Sequence, residues 1–224
     1  MKTFNTLPSY KTGQKNMVYA GIGSRETPKN ILERMTKIAK DLSDMGYKLQ
    51  TGKTFYGKEE GADKAFSDGT NNKELFGPEG IKVNSREWEV AKELHPNFQA
   101  LTKRWSGDLG DWKGLGGAKL MARNTNQVFG ANLDTPVDFV IFYAEETNNP
   151  LRPKGGTGQA VEMARRKGIP TINMAVVGWR DKLIQIVFNT PKSAEQIAME
   201  ENDMDEFQEM YDMYDESLTY PKIR

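Results

Sequence analysis

Two glycine-rich turns constrain this chain more than any other feature. The first reads Gly21-Ile22-Gly23-Ser24-Arg25-Glu26-Thr27-Pro28 and the second Gly155-Gly156-Thr157-Gly158-Gln159-Ala160-Val161-Glu162. Each follows an apolar segment, 17–20 (MVYA) and 137–143 (VDFVIFY), and each leads into residues with helical periodicity. Glycine removes the Cβ that keeps a backbone away from phosphate, and the first N–H groups of a helix have no intrahelical acceptor. A strand–turn–helix unit used twice predicts a parallel sheet with both turns at its carboxyl edge, where ligands of open α/β sheets bind. Taken alone, each turn reads either as a phosphate loop or as a tight structural connection.

The pattern continues along the chain. After Pro28, at a first helical position with Thr27 as N-cap, Ile31, Leu32, Met35, Ile38, Ala39 and Leu42 recur at helical spacing until Gly46. Strands are predicted over 47–51, 73–76 and 171–174, and helices over 61–69, 86–94, 119–129 and 158–167. The segment 98–117, with Trp105 and Trp112, reads as loop. The fold class is therefore α/β, a Rossmann-like parallel sheet flanked by helices over residues 1–178.

Residues 179–224 are expected to form a helical acidic extension. From Ser193 to Arg224 there are ten acidic and two basic residues, so the remainder carries 29 basic against 21 acidic residues. Met204, Phe207, Tyr211, Tyr214 and Leu218 make an amphipathic stripe within it. Such a stripe packs on the body of the protein or on a second copy, or its acids compete with nucleic acid for the basic body. A net +8 over 192 residues suits an anionic ligand and does not by itself indicate DNA.

Composition removes several function classes. There is no cysteine, which excludes disulfides and thiolate catalysis, and the single histidine, His95, excludes a histidine-rich metal site. No cofactor is required by any motif; a carboxylate-bound Mg²⁺ stays open without being indicated. No apolar run approaches the roughly 20 residues of a membrane span, and the N-terminus lacks a signal-peptide core, so a cytoplasmic location is expected. Gly52-Lys53-Thr54 imitates the end of a phosphate-binding P-loop, but the preceding Gly46 is one residue too far away and the intervening residues read as strand.

Four stretches together resemble the SLOG superfamily: 19–28 (YAGIGSRETP), Gly61-Ala62-Asp63 with Ala65-Phe66, Leu120-Met121-Ala122-Arg123-Asn124, and 155–162. That group includes the DprA/Smf DNA-processing proteins, the YspA-like proteins and the LOG phosphoribohydrolases. The likeness runs over residues 17–174 and is nearest to short DprA-like proteins of bacteriophages, which implies a bacterial or phage-infected cytoplasm. Against the LOG motif P-G-G-x-G-T-x-x-E, Gly155, Gly156, Gly158 and Glu162 match, while Lys154 and Gln159 replace the proline and threonine. Against M-H-x-R-K, Arg123 takes the arginine position and Asn124 replaces the lysine. The resemblance implies that Glu162 and Arg123 cleave an N-glycosidic bond, the carboxylate stabilising an oxocarbenium-like ribose and orienting water. It also implies homo-oligomers. Relatives carry S-G-G-A-x-G-A-D after the second strand; here the residues 53–60 are inserted between Thr51-Gly52 and Gly61-Ala62-Asp63.

The candidate site follows. Gly21, Gly23, Ser24, Arg25, Gly52, Asp63, Asn124, Gly155, Gly156, Thr157, Gly158 and Gln159 bind a nucleotide or its phosphate, and Glu162 and Arg123 act on it. Three functions fit that site: N-glycosidic hydrolysis, single-stranded DNA binding without catalysis, and sensing or sequestering a signalling nucleotide. The competing readings are a cap or a salt bridge for Glu162, a helix cap for Arg123, and stabilisation of the N-terminus of the helix it enters for Asp63.

Overall fold

A computed structural model describes residues 3–11, 16–53, 61–94, 98 and 116–188. His95, Trp105, Trp112, the insertion beyond Lys53 and the stripe from Met204 to Leu218 lie outside the described residues. The strands are β1 (Val18–Gly23), β2 (Lys48–Gly52), β3 (Lys73–Phe76), β4 (Phe139–Tyr143) and β5 (Thr171–Asn173). The helices are α1 (Lys29–Asp44), α2 (Ala62–Gly69), α3 (Arg86–Leu94), α4 (Gly116–Phe129), α5 (Thr157–Arg166) and α6 (Trp179–Phe188). Contacts divide the chain into two compact units, Met1–Trp179 and Arg180–Arg224; the sheet and α1 to α5 belong to the first.

All four strand pairings are parallel, in the order β3-β2-β1-β4-β5. This is a Rossmann-like α/β sheet, and its order reverses between β1 and β4, the position at which such sheets open a crevice. Alternate residues of the central strands face opposite layers, as the pleat requires. Tyr19 and Phe139 stack at 5.7 Å on one face, with Phe66 of α2 at 6.4 Å from Tyr19 and Tyr47 at 5.6 Å from Phe139. Ala20, Ile22, Val140 and Phe142 pack on the other face with Val128 and Phe129 of α4 and Val161 and Met163 of α5.

Local chemistry sets the ends of these elements. In α1, Ile31, Met35, Ile38, Ala39 and Leu42 are all buried, so the apolar stripe is the packed face. The helix closes in a Schellman motif: Tyr47 N–H donates to Leu42 O at 2.8 Å and Gly46 N–H to Ser43 O at 2.9 Å, with Gly46 at φ +86°. α5 closes the same way at Gly168, φ +73°. Several boundaries differ from the sequence reading: α4 begins at Gly116, inside the segment read as loop, and the ends of β2, β4, β5 and α5 shift by one or two residues. β1 continues through Gly21 and Gly23 instead of ending at Ala20, and Pro28 occupies the N-cap position of α1 while the Thr27 hydroxyl donates to Ser24 O at 2.8 Å.

Candidate functional site

The glycines fall into two kinds. A Cβ at Gly21 would lie 2.5 Å from Phe66 Cγ, and one at Gly23 would lie 2.5 Å from Ala62 Cβ, so these two admit α2 against β1. Gly158 likewise has the Pro153 carbonyl where a side chain would go. Gly155 is different: it holds φ +81°, in the left-handed region that favours glycine, and opens on free space. Gly156, the N-cap of α5, has only Met121 Cε near it, at 3.2 Å. The N–H groups of Gly156 and Thr157 meet no acceptor among the described residues, whereas Gly158 and Gln159 donate to Gly155 O and Gly156 O.

Ser24 and Arg25 pin the first turn to α2. Ser24 O accepts from Ala62 N–H at 3.2 Å and from Thr27 N–H at 3.4 Å, and the Ser24 hydroxyl accepts from Glu26 N–H at 3.0 Å. Gly61, at φ +148°, leaves room for the Arg25 backbone, which a Cβ there would approach to 3.0 Å. The Thr51 hydroxyl ties β2 to β1 by donating to Gly21 O at 2.6 Å.

The carboxyl end of β2 carries the main polar assembly. Arg123 of α4 reaches over Gly52 to pair with Asp63 of α2, Nη1 to Oδ2 at 3.1 Å. A side chain at Gly52 would overlap both partners of that pair. Gln127, one helical turn beyond Arg123, is 2% exposed. With its amide oriented oxygen to donors, it accepts from Gly52 N–H at 2.7 Å and Arg123 Nη1 at 3.2 Å, and donates to Asn124 Oδ1 at 3.0 Å. Asn124 Nδ2 lies 3.5 Å from both Gly156 O and Gln159 Oε1 of α5. Gly52, Asp63, Arg123, Asn124, Gly156 and Gln159 are thereby joined across β2, α2, α4 and α5.

Beside this chain, Lys53 Nζ meets Glu79 Oε1 at 2.6 Å. That hydrogen bond, with a backbone bond of Glu79 and weaker attraction to Lys53 and Arg123, holds the Glu79 carboxyl below its ordinary range against a small desolvation. Among the described residues, no cluster of three or more histidine or carboxylate side chains is placed to hold a metal. No helix there is long and apolar enough to cross a membrane.

Glu162 has other partners. Its carboxylate, 5% exposed, accepts from Arg152 Nη1 at 3.0 Å and from Arg166 Nε at 2.8 Å, while Arg152 also donates to Leu94 O at 3.3 Å. Glu162 thus ties α5 to the preceding loop and to the end of α3, and Arg123 is paired with Asp63 instead. Gln127 and Arg152 were not singled out from the sequence. Gln127 had a signal, since it follows Arg123 by four and Asn124 by three on one helical face; Arg152 lies in a loop and had none.

No protein-family profile matches the chain, and no curated protein matches it. Among solved structures it is similar to DNA processing protein A from Helicobacter pylori, in a structure concerned with that protein's single-stranded DNA binding mode. The TM-score is 0.42 and the sequence identity 16%, over 80% of this chain and 76% of that chain. A similarity of that size bears on neither ligand nor activity.

Proposed function

We propose that this protein binds a nucleoside phosphate, free or as a unit of single-stranded DNA, at the carboxyl edge of its sheet, and does so without cleaving the N-glycosidic bond. The observation that carries this reading is the buried polar chain from Asp63 through Arg123, Gln127 and Asn124 to Gln159, lying beside the open N-terminal turn of α5. Phosphate belongs at Gly155, Gly156 and Thr157, where N–H groups of Gly156 and Thr157 that meet no acceptor among the described residues and the positive end of a helix lie beside two glycines with no Cβ in the way. The SLOG resemblance and the position beside the β1/β4 reversal support the same placement.

The absence of hydrolysis is argued from Glu162. A carboxylate held by two arginines is poorly disposed to take a proton from water or to swing toward a ribose. In this reading Glu162 anchors α5, and Arg123 binds. Calorimetric titration with nucleoside monophosphates and with single-stranded oligonucleotides separates the two forms of the ligand. A free nucleotide gives saturable binding that changes little with salt; a strand gives affinity that falls steeply and linearly on a log–log salt plot. Chromatography of the incubated mixture is expected to show no free base. Failure of every nucleotide and oligonucleotide to bind at low salt, or steady base release that Glu162→Gln abolishes, would overturn the proposal.

A further inference from the structure

The amide chain at the site has a direction. Gly52 N–H and Arg123 Nη1 are donor-only groups, so Gln127 must present its oxygen to them, as it does at 2.7 and 3.2 Å. Its amide nitrogen is then committed to Asn124 Oδ1 at 3.0 Å. Asn124 must therefore send its own nitrogen onward, toward Gly156 O, which can only accept, and Gln159 Oε1, both at 3.5 Å. Gln159 is left with its nitrogen as the free end. The residue is 0% exposed and Nε2 finds no acceptor among the described residues. Arg123 Nε, within the chain, is a second buried donor with no acceptor among the described residues. Buried donors in native proteins are seldom left unmet.

We infer that Gln159 is a specificity-determining residue, donating from Nε2 to an acceptor atom of the bound ligand: a carbonyl oxygen, an unprotonated ring nitrogen or a phosphate oxygen. A ligand presenting an amino group at that point is rejected, because accommodating it would require every amide to reverse and the Gly52 N–H cannot accept. The inference rests on the nucleoside-phosphate reading of the site and adds to it the polarity of the ligand atom that is read.

The test compares wild type with Gln159→Met, which keeps volume and removes the donor, and with Gln159→Glu, which cannot donate when ionised. Each is titrated with the four common nucleoside monophosphates, the matching nucleosides and ribose 5-phosphate, and each is melted without ligand. The affinity for the tightest probe is expected to fall about tenfold in both variants, the loss of one net hydrogen bond. The ligand-free melting temperature of Gln159→Met should change little, since the unmet donor is removed together with an acceptor that Asn124 Nδ2 meets only at 3.5 Å and for which Gly156 O, at the same distance, remains. A loss that includes ribose 5-phosphate identifies a phosphate oxygen; a loss confined to base-bearing probes identifies an acceptor on the base; either supports the inference. Unchanged affinity overturns it, as does a ligand-free melting temperature several degrees lower, which would mean that the amide is satisfied inside the protein. If no probe binds wild type, the site reading itself fails and takes this inference with it.

Discussion

Removal of Glu162 separates an anchoring carboxylate from a catalytic one. Its side chain is 5% exposed, against 19% for Arg152 and 43% for Arg166. Breaking a fully buried ion pair by deleting one partner costs about 3–5 kcal/mol, because the other charge is left without compensation. Arg166 can return to water, so its share resembles that of a surface pair, about 0–1 kcal/mol. Among the described residues the Arg152 side chain keeps only its bond to Leu94 O and takes most of the penalty. Glu162→Ala is therefore expected to cost about 2–4 kcal/mol, and Glu162→Gln, which retains one acceptor, about 1–2 kcal/mol. For a domain of this size each kcal/mol moves the melting temperature by about 2–4 °C, so the alanine variant should melt roughly 4–16 °C below wild type. Scanning calorimetry reads the shift, and titration below the lowered transition should find nucleotide affinity within about twofold of wild type, well under the tenfold that 1.4 kcal/mol represents. A melting temperature within one degree of wild type would refute the anchoring argument.

Two further outcomes follow from the site's surroundings. Gly21→Ala and Gly23→Ala would press a methyl group to 2.5 Å from Phe66 and Ala62 and should each cost about 1–3 kcal/mol in urea denaturation, as overpacking does; a change below about 0.5 kcal/mol, the scatter of ordinary surface substitutions, would show that α2 is not held by those contacts. The Lys53–Glu79 pair should stabilise the protein only above the acidic range. Glu79 has a folded pKa below its unfolded value, so its contribution is complete above the unfolded carboxyl pKa and is lost as pH falls through the folded one. Lys53→Met should therefore lower stability at neutral pH by less than about 1 kcal/mol, the pair being half exposed, and the difference should vanish in strong acid; a difference that persists there would contradict this.

Much of the architecture was legible in the sequence because it is carried by local periodicity. The stripe Ile31, Met35, Ile38, Leu42 and the run Phe139–Tyr143 each announce one buried face or one buried strand, and both are found where they were expected. Gly46 and Gly168 likewise mark helix ends that their positive φ values require. The site was less legible. Sequence placed Gly21 and Gly23 beside Gly155 as one class of residue, yet the first two sit beneath α2 and only Gly155 opens on free space. That distinction depends on Phe66 and Ala62, more than 35 residues away, and no local pattern encodes it. The partners of Glu162 were half legible: Arg166 is four residues on and predictable, whereas Arg152 comes from a loop whose course only the fold determines.

The Arg123–Asp63 pair over Gly52 joins residues 60 apart in the chain, and the Asn124–Gln159 contact joins residues 35 apart. Each closes a long loop, which costs chain entropy before the contact gains anything. The polar assembly therefore exists only while β2, α2, α4 and α5 are all docked. A ligand held there would bind the fully docked state alone, and would stabilise all four elements together against local opening of any one of them.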